Sequence, residues 1–194
     1  MIKLTKNILS IDIDYVRSVH DFKNLLKFYI EIIPKIDTKN ILFSQIHANI
    51  WYVLNPLFMK KEPVNIISID HHHDIKFEDK VKDGLQSSNW LGYYFQKRNF
   101  IQEAYWVNNA DSLSYCVGQD DLLTVTKDLS DVLFNKFDYL FVCESPQYTE
   151  KNYLAQMAFE TLREITMLLK GENKMFFYKP NILNHVSTTI NERE

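Results

Sequence analysis

The chain has 194 residues, of which 46% are hydrophobic and 14% aromatic, and its formal net charge is −3. This composition is typical of a globular protein and excludes a disordered chain. Mixed charges exclude the basic stripe of a nucleic-acid binder, and no apolar run is long enough to span a membrane. The two cysteines have no paired spacing and no signal-peptide core is present, so we expect a cytoplasmic protein.

Predicted strands and helices alternate along the chain. We expect strands at 7–14, 40–44, 64–70, 102–107, 122–126, 138–143 and 174–178. We expect helices at 20–33, 46–58, 88–98 and about 149–170. Strands that are apolar on both faces and alternate with helices predict an α/β fold, a three-layer α-β-α sandwich with a mostly parallel central sheet.

The sequence contains no internal repeat, low-complexity segment or linker that would divide it. Residues 1–194 are therefore expected to form a single domain. The polar tail from Asn184 to Glu194 is a candidate for disorder.

The tract Asp70-His71-His72-His73-Asp74 follows the apolar run 64–69 and is the strongest chemical signal in the sequence. In extended backbone, alternate side chains share a face, which would point Asp70, His72 and Asp74 the same way. Two carboxylates and one imidazole suit a hard or borderline divalent cation. The alternative is a strand that runs into an acidic turn, or a solvated histidine-rich patch.

A second acidic pair, Asp12 and Asp14, ends the predicted strand 7–14. Taken alone, this pair is more often an ordinary acidic turn than a metal site. However, both acidic segments follow strands that look buried, and ligands of parallel sheets lie beyond the carboxyl ends of the strands. Together, the two segments predict a metal site.

The two tracts, Ser10-Ile11-Asp12-Ile13-Asp14 and Asp70–Asp74, resemble the ligand motifs of the ureohydrolases, the arginase and agmatinase superfamily. Those enzymes hold two manganese ions with four carboxylates and two histidines. His47, at the start of the predicted helix 46–58, resembles their sixth ligand. The resemblance implies an arginase-like fold and two Mn²⁺, with other divalent metals as alternatives, bound by Asp12, Asp14, His47, Asp70, His72 and Asp74.

The chain is shorter than an arginase, and its Ser-x-Asp-x-Asp segment comes first. That order resembles a small bacterial branch that includes the peptide arginases, which convert arginine to ornithine within ribosomally made precursor peptides. The resemblance covers about residues 8–150 and is carried by Asp12-Ile13-Asp14-Tyr15, His47 with Trp51, the 70–74 tract and Ser88-Asn89-Trp90. It implies an arginine-containing precursor peptide as the partner, and it does not indicate an oligomeric state.

Catalytic roles follow from the same resemblance. Asp74 would hydrogen-bond the attacking water and later pass on a proton. His73 is a candidate proton shuttle, although alternation predicts that the side chains of His71 and His73 point away from the metals. Glu144, after the predicted strand 138–143, would bind the guanidinium in a planar bidentate pair. Its alternative role is that of a solvated acid before a turn.

The Ser88-Asn89-Trp90 segment is implied to bind substrate near the metals. Asn89 would hydrogen-bond the substrate, with Ser88 and Trp90 beside it. The alternatives are helix capping by Ser88 or Asn89, which is common, and a core position for Trp90.

Two other functions stay open at this point. The first is an amide hydrolase that acts on a substrate such as acetyl-lysine with a single zinc, a site that needs fewer carboxylates. The second is a non-catalytic domain that binds metal for stability. The metal content of the purified protein would separate these alternatives from the binuclear enzyme.

Overall fold

A seven-stranded sheet forms the centre of the computed structural model, which describes residues 4–75, 84–97, 99–110, 112, 123–131, 136–171 and 176–178. The strands are β1 (Lys6–Asp12), β2 (Ile41–Ser44), β3 (Val64–Ile69), β4 (Ile101–Val107), β5 (Thr124–Thr126), β6 (Tyr139–Cys143) and β7 (Phe176–Tyr178). Their order is β5-β4-β3-β1-β6-β2-β7, and each strand pairing is parallel. The predicted α/β class with a mostly parallel sheet is confirmed.

Helices cover both faces of this sheet. They are α1 (Val19–Ile32), α2 (Trp51–Met59), α3 (Trp90–Phe95), α4 (Pro146–Thr149) and α5 (Tyr153–Lys170). Helices α1 and α5 pack on one face, over Leu9 and Ile11 of β1. Helices α2 and α3 pack on the other face, over Ile8 and Ile66. None of the helices in the described ranges is long and apolar enough to cross a membrane.

Helix boundaries follow from local capping. The Ser18 hydroxyl accepts the Asp21 N–H and starts α1, while the Asn152 side chain accepts the Ala155 N–H and starts α5. The predicted helix 149–170 corresponds to α5, which starts four residues later than predicted, since Thr149 is the last residue of α4. Gly171, at φ +82°, ends α5 in a conformation that favours glycine.

Two other predicted elements differ from the structure in detail. The predicted helix 46–58 begins as a 3-10 turn, His47–Ile50, and continues as α2. The predicted helix 88–98 is shorter, because α3 spans only Trp90–Phe95. Residues 122, 174 and 175 of two predicted strands and the tail 184–194 lie outside the described residues.

The first strand lies in the middle of the sheet, between β3 and β6. From β1 the chain crosses to β2 on one side and then returns to β3 on the other. Such a change of direction opens a crevice at the carboxyl ends of the strands, where α/β proteins bind their ligands. The fold therefore places the ends of β1 and β3 at the expected ligand position.

Candidate metal centre

Six acidic and histidine side chains meet at the carboxyl ends of β1, β2 and β3. Asp12 is the last residue of β1, Asp14 lies in the following 3-10 turn, and His47 opens the turn after β2. The tract Asp70–Asp74 follows β3. The structure brings together the six predicted ligands, and five of them are buried, namely Asp12, Asp14, His47, Asp70 and Asp74.

Tight turns aim these side chains. The Asp12 carboxylate accepts the Asp14 N–H at 3.1 Å, and the Asp70 carboxylate accepts the His72 N–H at 2.8 Å. In each case an Asp side chain accepts a hydrogen bond from the backbone N–H two residues later, which is an Asx turn. Since β3 ends at Ile69 and Asp74 has φ +51°, the prediction of extended backbone through the tract is wrong. The side chains converge because the backbone turns.

His47 lies at the centre of a first ligand group. Its Nδ1 is 2.9 Å from Asp12 Oδ2, 3.1 Å from Asp74 Oδ2 and 3.5 Å from Asp70 Oδ2. The other ring nitrogen, Nε2, pairs with the Ser10 hydroxyl at 2.9 Å, which turns Nδ1 toward the carboxylates. Bond lengths of about 2.1 Å put neighbouring ligands of an octahedral ion about 3 Å apart, close to these separations.

A second group consists of Asp14, Asp70 and His72, whose donor atoms lie within 4.8 Å of one another. The Nδ1 atom of His72 is 3.0 Å from Asp14 Oδ2. Asp12, His47 and Asp70 satisfy the same distance limit. Asp70 belongs to both groups, so one carboxylate joins two potential cation positions.

The carboxylates of this cluster repel one another. Burial, and then the charges of Asp74, Asp14 and Asp12, raise the pKa of Asp70 well above its ordinary value. Burial and the charge of Asp14 also raise the pKa of Asp12. Burial lowers the pKa of His47, but the contacts with Asp12 and Asp74 outweigh it and raise that pKa to about 10. The site therefore crowds carboxyl groups that are almost fully buried, at a cost in free energy that a cation would offset.

Two buried atoms of the ligand groups have no hydrogen bond to the described residues, His47 Nδ1 and Asp70 Oδ2. The carboxylates lie close to His47 Nδ1 but are not aligned for a hydrogen bond with it. Leaving such groups unpaired is costly, and a cation between them would satisfy both. These buried Asp and His groups can therefore hold a metal ion, and their oxygen-rich donor set fits a hard or borderline divalent one.

A cavity of about 220 Å³ opens onto these ligands. The described residues that line it are Asp12, His47, Asp70, His72, His73, Asp74, Ser87, Ser88, Ser145 and Tyr148. His73 thus lines the cavity and does not point away from it. Its Nδ1 accepts the Ile75 N–H at 3.0 Å, so the neutral ring carries its proton on Nε2. His71 lies behind the site, beside Asn109.

The structure does not bring Asn89 or Glu144 to this cavity. The Asn89 side chain accepts the Gln86 N–H and donates to the Gly84 carbonyl in the preceding turn, and it makes no side-chain cap hydrogen bond to α3. The Glu144 carboxylate accepts a hydrogen bond from Gln45 at 3.1 Å. Cys143 is the register partner of Asp12, so alternation points the next side chain to the opposite face.

Ser145 is a site residue that the sequence did not indicate. Its hydroxyl donates to Asp12 Oδ2 at 2.5 Å, and its backbone has φ +46°, which is uncommon for a residue with a side chain. Only the pairing of β6 with β1 brings Ser145 to Asp12. Ser10 had a signal, because it lies two residues before Asp12 on the same strand face.

Trp90 fixes the position of Asp74. Its indole N–H donates to Asp74 Oδ2 at 2.7 Å, the same oxygen that lies near His47. Its ring is fully buried and 5.1 Å from the His47 ring. Trp90 does not line the cavity, so its direct role is to orient Asp74 and to pack.

Replacing Trp90 by phenylalanine is expected to weaken divalent-metal binding about 10- to 100-fold, as the loss of an outer-shell partner does. The ring keeps most of its packing, but Asp74 loses its donor. Isothermal titration calorimetry with manganese measures the change in affinity. Trp106→Phe is the matched control, because its buried indole donates to the backbone oxygen of Asp70. Equal metal affinity in the two variants would contradict the assigned role of Trp90.

No family model, curated protein or solved structure matches this chain. Its function is therefore inferred from the geometry of the site and the motifs of the sequence.

Proposed function

We propose that the chain is an arginase-like hydrolase that uses two divalent cations, manganese above all, to convert arginine side chains to ornithine and urea. Its substrate is an arginine within a ribosomally made precursor peptide. The observation that carries the proposal is the sharing of Asp70 by two ligand groups, each completed by an imidazole nitrogen. The two groups and Asp74 together contain four carboxylates, and a site for a single zinc would need fewer.

The cavity supports a side chain as the reacting group. Its volume of about 220 Å³ leaves no room for a folded partner, but a long thin side chain can enter it. The four carboxylates would balance the charge of two divalent cations, so the loaded site would not repel a cationic group such as guanidinium. Tyr148, which is 49% exposed, lies at the cavity with its ring 5.1 Å from that of His72. The peptide backbone would stay outside, beside Tyr148.

The six ligands Asp12, Asp14, His47, Asp70, His72 and Asp74 would hold the two cations. When bound, such a pair of ions polarises water and lowers its pKa toward neutrality. The guanidinium carbon is a poor electrophile, so the chain must also hold it close to that water. The shape of the cavity supplies this positioning.

The reaction adds one water and breaks the bond between the guanidinium carbon and Nε of arginine. The water oxygen goes to the carbon, which leaves as urea, and both water protons go to the ornithine nitrogen, which leaves as an ammonium group. Asp74, whose Oδ2 is oriented by Trp90, would accept the first proton from the water and pass it on. His73, which lines the same cavity, would relay the second proton from Nε2 once Nδ1 gives up the Ile75 N–H and takes up that proton.

The test is incubation of the manganese-loaded protein with arginine-containing peptides. We expect urea release and a mass loss of one CN₂H₂ unit for each modified arginine. Asp74→Asn should abolish both signals, while Asp37→Asn, which removes an exposed carboxylate that pairs with Lys39 and does not line the cavity, should leave them unchanged.

Two results would overturn the proposal. One is the absence of urea from every arginine-containing peptide and from free arginine. The other is release of acetate from an acetyl-lysine peptide, which would favour the amide hydrolase. Urea from free arginine but from no peptide would correct the substrate class only.

A further inference from the structure

A second concave surface, of about 760 Å³, lies beside α1 and is larger than the metal-site cavity. We call it the α1 groove. Its cationic rim consists of Lys27, Lys35, Lys127 and Lys136, and its floor includes Phe28 and Phe137. Helix α1 forms one wall, and the segment after β5 forms the other. The α1 groove is therefore a place where positive charge surrounds apolar surface.

The charge of the α1 groove opposes that of the whole chain, which is −3. Its four lysines are exposed, and none of them forms an ion pair with an acid in the described part of the chain. The described acids of the groove are Glu31 and Asp128, and the Asp128 carboxylate already accepts the Ser130 N–H at 2.8 Å. An acidic ligand would find cationic partners on both walls.

The floor adds a requirement for apolar contact. The rings of Phe28 and Phe137 meet edge to face, with centroids 6.3 Å apart. Leu129 beside them is buried. Two rings at 74° do not present parallel faces on which successive bases could stack, the contact that single-stranded nucleic acids use. A ligand that offers acidic side chains to the lysines of the rim and apolar side chains to the floor is a polypeptide.

The α1 groove and the metal site share the 3-10 turn Ile13–Tyr15. Tyr15 lines the groove and directly follows Asp14, and the Tyr15 carbonyl accepts a hydrogen bond from Asn109 at 2.7 Å. We propose that the α1 groove binds an acidic segment, with apolar residues between its acids, of the same peptide whose arginine enters the site. The part about the arginine rests on the proposed function. The groove itself can be tested without catalysis.

The test is fluorescence anisotropy of the full chain with a labelled peptide of about a dozen residues, made of glutamate and leucine. A matched peptide with glutamine in place of glutamate is the second probe. We expect the acidic peptide to bind more tightly than its glutamine counterpart, and less tightly at high salt. The double variant Lys27→Glu/Lys127→Glu reverses one charge on each wall and should weaken binding at least about tenfold.

The matched control is Lys23→Glu/Lys39→Glu, with the same change in net charge but outside the α1 groove. It should bind the acidic peptide within about twofold of the parent. Circular dichroism checks that both variants fold. Equal losses in the two double variants would overturn the groove, as would no binding of the acidic peptide. Tighter binding of an oligonucleotide of equal charge would overturn the polypeptide ligand.

Failure of this proposal is distinguishable from failure of the proposed function. If the acidic peptide does not bind but urea is released, the α1 groove is wrong and the hydrolase stands. If the peptide binds through the four lysines and no arginine substrate yields urea, the groove stands and the hydrolase is wrong.

Discussion

Replacing Asp70 by asparagine is expected to stabilise the metal-free protein and to abolish its stabilisation by manganese. Asp70 is buried, its Oδ2 atom has no hydrogen bond, and three other carboxylates raise its pKa. An amide removes this cost, keeps the oxygen that accepts the His72 N–H, and offers N–H donors to the neighbouring carboxylates. The gain should be about 1–3 kcal/mol, or about 3–8 °C in the melting temperature.

The sign of the effect also depends on pH. The pKa of Asp70 is raised in the folded chain, so its ionised form weakens the fold as the pH rises above its ordinary value of 3.8. Asparagine has no such loss, and its advantage over Asp70 should grow with pH in metal-free protein. Thermal unfolding with chelator, and again with manganese, measures both halves of the prediction.

Asp37→Asn is the control for this experiment, since it removes an exposed carboxylate that contacts only Lys39 among the described residues. Its effect should stay within about 0.5 kcal/mol, with or without manganese. An Asp70→Asn protein that melts lower than the parent in chelator would contradict the assigned charge repulsion. One that still gains stability from manganese would contradict the ligand assignment.

Metal content should fall from two ions per chain to one when a residue that belongs to only one of the two ligand groups is replaced. Asp14 belongs only to the second group and His47 only to the first, while Asp70 belongs to both. We expect Asp14→Asn and His47→Gln each to retain one ion, and Asp70→Asn to retain none. Loss of one ion should cost several kcal/mol of transition-state stabilisation, or roughly a thousandfold in the rate of urea release.

Elemental analysis after gel filtration counts the ions. His20→Gln is the matched control, because His20 is exposed on α1 and contacts Asn24. It should keep two ions per chain. Retention of two ions by either ligand variant would remove the binuclear centre, and with it the guanidine chemistry.

The fold class could be predicted because apolar strands and amphipathic helices carry local signals. The predicted strands lie within about two residues of β1, β2, β3, β4 and β6, a usual margin for such boundaries. The strand order had no such signal, because it depends on which distant segments pair. The start of α5 was predicted at Thr149 and lies at Tyr153, because Thr149 and Asn152 are both residue types that cap helices and only Asn152 does so here.

The six predicted ligands do lie close together, but the backbone conformation expected to bring them together is wrong. Alternation in an extended strand was expected to align Asp70, His72 and Asp74. In the structure, the Asp70 side chain caps a turn and Asp74 adopts a left-handed backbone. The Asp-x-His and Asp-x-Asp spacings suit both conformations, so the residue types indicated the chemistry without fixing the backbone.

Glu144 and Ser145 show where sequence reasoning failed. An acid after a strand was the more conspicuous residue, yet the serine beside it contacts Asp12. That contact joins residues 133 positions apart and exists only when β6 pairs with β1. The local sequence pattern carries no information about a pairing of this kind. Once the pairing is known, the alternation of side chains along β6 excludes Glu144 from the site.

The central position of β1 has a consequence for translation. Asp12 and Asp14 are synthesised before the segments that support them, which are β3, then β6, and finally Ser145. Pairings between such distant segments form late, because closing long loops costs entropy. Cation uptake is therefore expected to follow the synthesis and pairing of β6, and not to nucleate the fold.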